Sequence, residues 1–137
     1  MKTVFVDANI FLRFFTQDDR SQHEKAKNLF KQAESGHIRL LSGPPVLFEI
    51  AWVLRSGYKL SHEKTLDTLK AIVAVKGLSL WDAELVERAL EIASESGVDF
   101  ADCYLTASAM KYKADAMATF NISDFKHLPV PLFSFTH

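Results

Sequence analysis

Four acidic residues stand where the hydrophobic pattern of the chain changes. Asp7 closes the apolar run Thr3-Val4-Phe5-Val6, Glu49 falls inside a segment that reads as an apolar helix, Asp102 opens a helix of small residues, and Asp124 follows a strand candidate. In an open parallel sheet, the carboxyl ends of strands and the N-termini of the helices that follow share one edge, so positions distant in sequence converge there. Carboxylates brought together repel one another and lose hydration. A hard divalent cation such as Mg2+ or Mn2+ offsets both effects by taking oxygen ligands. The expectation is a metal centre that performs the chemistry, with Asp7, Glu49, Asp102 and Asp124 as its ligands.

Each acid also has an ordinary structural reading. Asp7 suits the cap of a helix beginning near Asn9, because Asp is a favoured cap. Glu49 is surrounded by Leu47, Phe48, Ile50, Ala51, Trp52 and Val53, which leaves a narrow solvated face, and a Glu buried there without a partner would be costly. Asp102 fits a first-turn acid stabilised by the helix dipole, with Asp99 as the cap before it. Asp124, in Asn121-Ile122-Ser123-Asp124, also fits exposed turn chemistry. The histidines at 23, 37, 62, 127 and 137 show no zinc-pair spacing, so surface or packing roles are expected for His23, His37, His62, His127 and His137. Cys103, among small helical residues, reads as a buried spacer and not a nucleophile.

Strands and helices must alternate to bring the acids to one edge. Thr3 to Val6 reads as a buried strand and Asn9 to Phe15 as the first helix. From Gln22 to Ser35, Ala26, Leu29, Phe30 and Ala33 recur at i, i+3, i+4 and i+7, and Gly36 is placed to stop the helix. Ile38 to Ser42 is the second strand, and Gly43-Pro44-Pro45 opens a helix running to about Ser56. Ser61 caps a helix carrying Leu66, Leu69, Ile72 and Val73, and Gly77 to Leu80 is a brief strand. Asp82 is expected to cap the next helix, which Ser96-Gly97 ends, and Asp99 starts another. Ala116 to Phe120 and Leu132 to Phe135 complete the strand candidates. The alternation predicts a three-layer α/β domain with right-handed crossovers around a central parallel sheet.

Composition narrows the classes. A length of 137 residues with 48% apolar content predicts one globular domain with a real core. Sixteen basic against seventeen acidic residues give a formal charge of -1, without the basic excess of a protein that grips nucleic acid by charge alone. The lone Cys103 excludes an internal disulfide. Asp7 and Arg13 interrupt the apolar N-terminus, so no secretory pattern is expected and a cytoplasmic location follows. Glu49 and Arg55 break even the rich segment around Val46 to Leu54, which argues against membrane insertion.

Taken in order, Val4-Phe5-Val6-Asp7-Ala8-Asn9, Glu49 in its helix, Asp99-Phe100-Ala101-Asp102 and Thr119-Phe120-Asn121-Ile122-Ser123-Asp124-Phe125 resemble the PIN-domain nucleases. The resemblance runs over nearly the whole chain, residues 1–137 as one PIN domain. Size and spacing are most similar to the compact ribonuclease toxins of bacterial and archaeal toxin–antitoxin pairs, the VapC-like group. It implies a PIN-like three-layer α/β/α fold in which Asp7, Glu49 and Asp102 hold Mg2+ or Mn2+. The fourth acidic position varies among relatives: Asn121 stands where many members place an Asp, and Asp124 lies three residues later. Asn9 and Thr119 match polar positions beside the acids, where such groups orient carboxylates or the attacking water, and Asp99 and Asn121 are candidates for the same task.

The resemblance implies hydrolysis of RNA phosphodiesters by metal-activated water, leaving a 5′-phosphate and a 3′-hydroxyl. It also implies a homodimer and a cognate antitoxin bound in a groove near the site. Arg13, Arg55, Lys59 and Lys126 follow the site elements and are candidates for phosphate contact, although basic residues on helices also serve as solvated faces. Two other classes remain. One is a PIN scaffold that binds RNA or a protein without cleaving, suggested by the neutral Asn121. The other is a haloacid-dehalogenase-like phosphatase with Asp7 after its first strand, which would want a second Asp where Asn9 stands.

Overall fold

Short runs of branched and aromatic residues form a parallel sheet in the computed structural model, which describes residues 1–135. Strand β1 (Lys2–Phe5) pairs with β2 (Ile38–Ser42), and β2 pairs with β3 (Leu78–Leu80), in the order β1-β2-β3. The register sets Val4 beside Leu40 and Leu40 beside Leu78. Because side chains alternate between faces, Ile38, Leu40 and Ser42 point the same way, and all three are buried. Parallel neighbours require long crossovers, and helices supply them here.

The first crossover holds α1 (Ala8–Phe15) and α2 (Arg20–Glu34). Asp19 caps α2, accepting from the Gln22 N–H at 3.0 Å, and Gly36 ends it with φ of 83°. The two helices lock through aromatic rings: Phe30 lies 5.7 Å from Phe11 and 4.6 Å from Phe14. The second crossover holds α3 (Pro44–Trp52), a π-helical turn (Val53–Gly57) and α4 (His62–Val73), capped by Ser61 as expected. Its core is built from Leu47, Ile50, Leu54, Leu69 and Ile72, all essentially buried.

Two compact units divide the chain after Ala83. The sheet and its crossovers make up the first. The second carries α5, which spans Ala83–Ser96, then α6 (Phe100–Lys111) and α7 (Ile122–Phe125). Asp82 does not take the extended backbone of a helix cap: its φ is 52°. The strand candidates Ala116–Phe120 and Leu132–Phe135 reduce to one parallel bridge, Met117 with Leu132. Pro129 and Pro131 lack the N–H donors a longer ladder would need, and Phe120 is 91% exposed. Asp124 therefore sits inside the short helix α7 and does not follow a strand. Among the described residues, no helix is long and apolar enough to cross a membrane. His137 lies outside them.

Candidate metal centre

The positions of Asp7 and Glu49 follow from how β1 and β2 end. The Val6 N–H donates to the Leu41 carbonyl at 2.9 Å, and the buried Ser42 hydroxyl donates back to the Val6 carbonyl at 2.9 Å. The Trp81 N–H donates to the Ser42 carbonyl at 3.3 Å, so the ends of the strands are tied together. Asp7 leaves this edge directly, with an exposed side chain whose Oδ1 accepts from the Ile10 N–H at 3.3 Å. It does cap α1. A carboxylate has about four lone-pair sites, so capping leaves oxygen available to a ligand. Asn9 is exposed in the first turn of the same helix.

Helix α3 starts straight after β2, with Gly43 at its cap position, and places Glu49 in its second turn, about 7 Å along the axis. The sequence predicts a narrow solvated face here, and the face is indeed a stripe. Pro45, Glu49 and Trp52, at helical spacing, are exposed, while Leu47, Ile50 and Leu54 are buried. Glu49 is thus on the solvent side and not among the apolar neighbours that flank it in sequence, and Trp52 beside it is 70% exposed.

The remaining acids belong to the second unit. Asp102 stands in the first turn of α6, half-buried, and its carboxyl is pushed above the usual carboxylate value, first by burial and then by the charges of Asp124 and Asp99. Asp99 occupies the cap position of α6 without a side-chain cap bond, so its carboxylate is not spent on the helix end. The loop before α7 is internally bonded. The Asn121 N–H donates to Thr119 Oγ1 at 2.9 Å, Asn121 Nδ2 donates to Asp124 Oδ2 at 3.1 Å, and Ser123 Oγ donates to Asn121 Oδ1 at 3.3 Å. Asn121 therefore acts on Asp124 as a donor, with its carbonyl engaged by Ser123.

Ser42 and Ser123 are the positioning groups that sequence reasoning missed. For Ser42 a signal existed, since period-2 alternation places it on the inward face with Ile38 and Leu40. Among the candidate phosphate contacts, Arg13 is committed elsewhere: its guanidinium donates to Gln22 Oε1 at 2.8 Å, and to Asp18 Oδ1 and the Tyr58 hydroxyl at 3.3 Å. Arg55 donates to the Leu60 carbonyl at 2.9 Å, closing the turn after the π-helical segment. Lys59, with φ of 55°, and Lys126 are exposed. Cys103 is the buried spacer expected, its thiol donating to the Val98 carbonyl and pushed up to about 11 by burial, so it is not a thiolate at neutral pH. His23 is half-buried against Phe14, and His37 bonds Ser35.

Asp7 and Glu49 thus lie in the first unit, and Asp99, Asp102 and Asp124 in the second. Among the described residues, no three Asp, Glu, His or Cys side chains are gathered closely enough to hold an ion. The donor set nevertheless suits a hard cation: every candidate ligand is a carboxylate, and the mutual repulsion felt at Asp102 is what such an ion relieves.

Comparison with known proteins bears on the same segments. No curated protein matches the chain. Among solved structures, it is similar to the VapC20 toxin of Mycobacterium tuberculosis, described as cleaving the sarcin-ricin loop, at 20% identity over 82% of this chain and 85% of that one, with a TM-score of 0.41. It is also similar to VapBC2 of Rickettsia felis bound to a DNA fragment from their promoter, at 19% identity over 98% and 99% of the chains, with a TM-score of 0.37. The PIN domain family matches residues 4–130, from β1 through all four acids to the buried Val130, and on that match the chain belongs to the PIN domain family.

Proposed function

We propose that the chain, as one PIN domain over residues 1–137, is a Mg2+- or Mn2+-dependent endoribonuclease and the toxin of a toxin–antitoxin pair. The observation that carries this reading is the family match across residues 4–130, which takes in Asp7, Glu49, Asp102 and Asp124. Asp7, Glu49 and Asp102 would hold the ion, with Asp124 as the fourth acid. When bound, the ion supplies an activated water and neutralises charge on the scissile phosphate. Asp7, fixed by its cap bond and by the Ser42–Val6 tie, would offer its remaining lone pairs at the sheet edge. Asn121 holds Asp124 through its amide, and Thr119 holds the Asn121 backbone. Asn9 and Asp99 stand beside the acids as orienting groups. A cytoplasmic location, a homodimer and a cognate antitoxin that blocks the site complete the proposal.

A second reading is a PIN scaffold that binds RNA or protein without cleaving. It is favoured by the neutral Asn121, whose amide donates to Asp124. Incubating a labelled total RNA pool with the protein and with Asp7→Asn, in Mg2+, in Mn2+ and in chelator, separates the two. Cutting that needs the ion and vanishes in the variant is the expected result. Equal cutting by both proteins would sink the site assignment, and no cutting together with no Mn2+ binding would leave the scaffold.

A further inference from the structure

A groove of about 290 Å³ runs between α1 and α2, lined by none of the acids assigned above, and its lining mixes two chemistries. Phe14 and Phe30 give it an aromatic wall. Lys27 and Lys31, one helical turn apart on α2, are exposed on its rim, and among the described residues neither is in an ion pair. His23, one turn before Lys27, stacks on Phe14 with ring centroids 6.2 Å apart and is anchored by Nδ1 to the Arg13 carbonyl at 2.9 Å. That anchor leaves Nε2 uncommitted to Arg13. Glu34 is the single acid of the lining.

We infer that this groove is a nucleotide subsite, in which the base lies against Phe14 and His23 while Lys27 and Lys31 take the adjoining phosphates. This inference rests on the reading of the chain as an RNA-binding nuclease. Bases of any identity stack on aromatic rings, and such stacking contributes about 1–3 kcal/mol per base. Two ammonium groups that are in no ion pair among the described residues supply the charge that a phosphodiester needs, on a chain whose overall charge gives no such attraction. The location suits a substrate strand. Phe14 follows Asp7 by two turns of α1, so the groove lies about 10 Å along that helix from the acid, roughly three nucleotides of stacked strand. The subsite would hold the RNA beside the cut and set its register without contacting the reacting atoms.

The test measures binding in chelator, where no cleavage occurs, of a fluorescent single-stranded RNA oligonucleotide to the full chain and to Lys27→Gln/Lys31→Gln, across a salt series. Both lysines are on the surface, so the variant should fold. Loss of two phosphate contacts is expected to weaken binding by roughly tenfold or more and to flatten the log–log salt dependence by about 1.4. RNA carrying 5-bromouridine should crosslink, on irradiation, to Phe14 or His23. If RNA binds but slope, affinity and crosslinks are unaltered by the variant, the subsite is overturned while the nuclease reading stands. If wild type binds no RNA, both fall. An acidic, aromatic peptide bound by wild type and lost in the variant, with RNA binding retained, would make the groove a protein-docking surface and overturn the subsite.

Discussion

The hydroxyl of Ser42, fully buried at the end of β2, donates to the Val6 carbonyl at 2.9 Å, one residue before Asp7. The backbone ladder has its last rung here, because the Val6 N–H bonds Leu41 and the chain then turns into α1. Without the hydroxyl, the Val6 carbonyl loses this partner, and Asp7 is held only by the Val6 N–H bond before it and its own cap bond to α1. A fully buried side chain therefore helps to place a proposed ligand.

Ser42→Ala should accordingly destabilise the protein by about 1–3 kcal/mol, the usual range when a buried polar group loses its partner. Urea denaturation measures it, and a Mn2+ titration of the same variant should show weaker binding. An unchanged midpoint would mean that water or a backbone shift replaces the bond.

Two glycines separate backbone strain from close packing. Gly36 and Gly77 both have φ near 85°, at 83° and 89°, but a Cβ on Gly36 would meet nothing within 4 Å, whereas one on Gly77 would lie 2.7 Å from the Ala33 carbonyl oxygen. Gly36→Ala should cost about 1 kcal/mol, the left-handed backbone alone. Gly77→Ala should cost clearly more, since α2 and the start of β3 must also move apart. Equal losses in parallel denaturation experiments would show that the approach of Ala33 to Gly77 relaxes freely.

Asp102 is predicted to weaken the metal-free protein. Burial first, then Asp124 and Asp99, raise its carboxyl above the ordinary 3.8. The folded state therefore binds this proton more tightly than the unfolded state does. The stabilisation is complete below 3.8 and is lost as the pH rises through the raised folded value, leaving a disfavoured carboxylate at neutral pH. Asp102→Asn should raise the metal-free melting temperature at neutral pH and flatten its dependence in the acid range. Saturating Mn2+ should reverse the order: at a hundredfold excess over Kd it adds about 2.7 kcal/mol to a protein that binds it, and nothing to one that does not. A variant that melts below wild type in chelator would contradict this account.

Legibility in the sequence tracked how local each signal was. The i, i+3, i+4, i+7 pattern of Ala26, Leu29, Phe30 and Ala33, the stop at Gly36 and the cap at Ser61 are short-range chemistry, and the structure has them. The α/β class followed from the alternation. Glu49 shows what local reading leaves open: six apolar neighbours in sequence allow only a narrow solvated face, and helical geometry puts Pro45, Glu49 and Trp52 on that exposed stripe. Asp82 fails for a related reason, because its residue type suits a cap and only the backbone angle reveals that it is not in cap geometry. Leu132 and Met117 could be matched as strand positions, but Pro131 beside them limits the ladder to a bridge. The bond from Ser123 to Asn121 depends on side-chain rotamers, which no spacing rule specifies.

Asn121 offers the sharpest test of how the acids are managed. Its amide donates to Asp124 Oδ2 at 3.1 Å, while its own carbonyl accepts from Ser123 at 3.3 Å. Asn121→Asp replaces that donor with a second carboxylate facing Asp124. At this exposed position the repulsion should cost no more than about 1 kcal/mol in chelator, the scale of two charges about 4 Å apart in water. The added charge should at the same time tighten Mn2+ binding, because the ion gains an anionic neighbour. Asn121→Ala removes the donor without adding charge, so it should loosen Asp124 and weaken the same binding. Calorimetric Mn2+ titrations of the two variants should therefore move in opposite directions from wild type. A shift in the same direction would show that the amide's hold on Asp124 matters more than the charge at position 121, and no shift in either would separate this loop from the ion altogether.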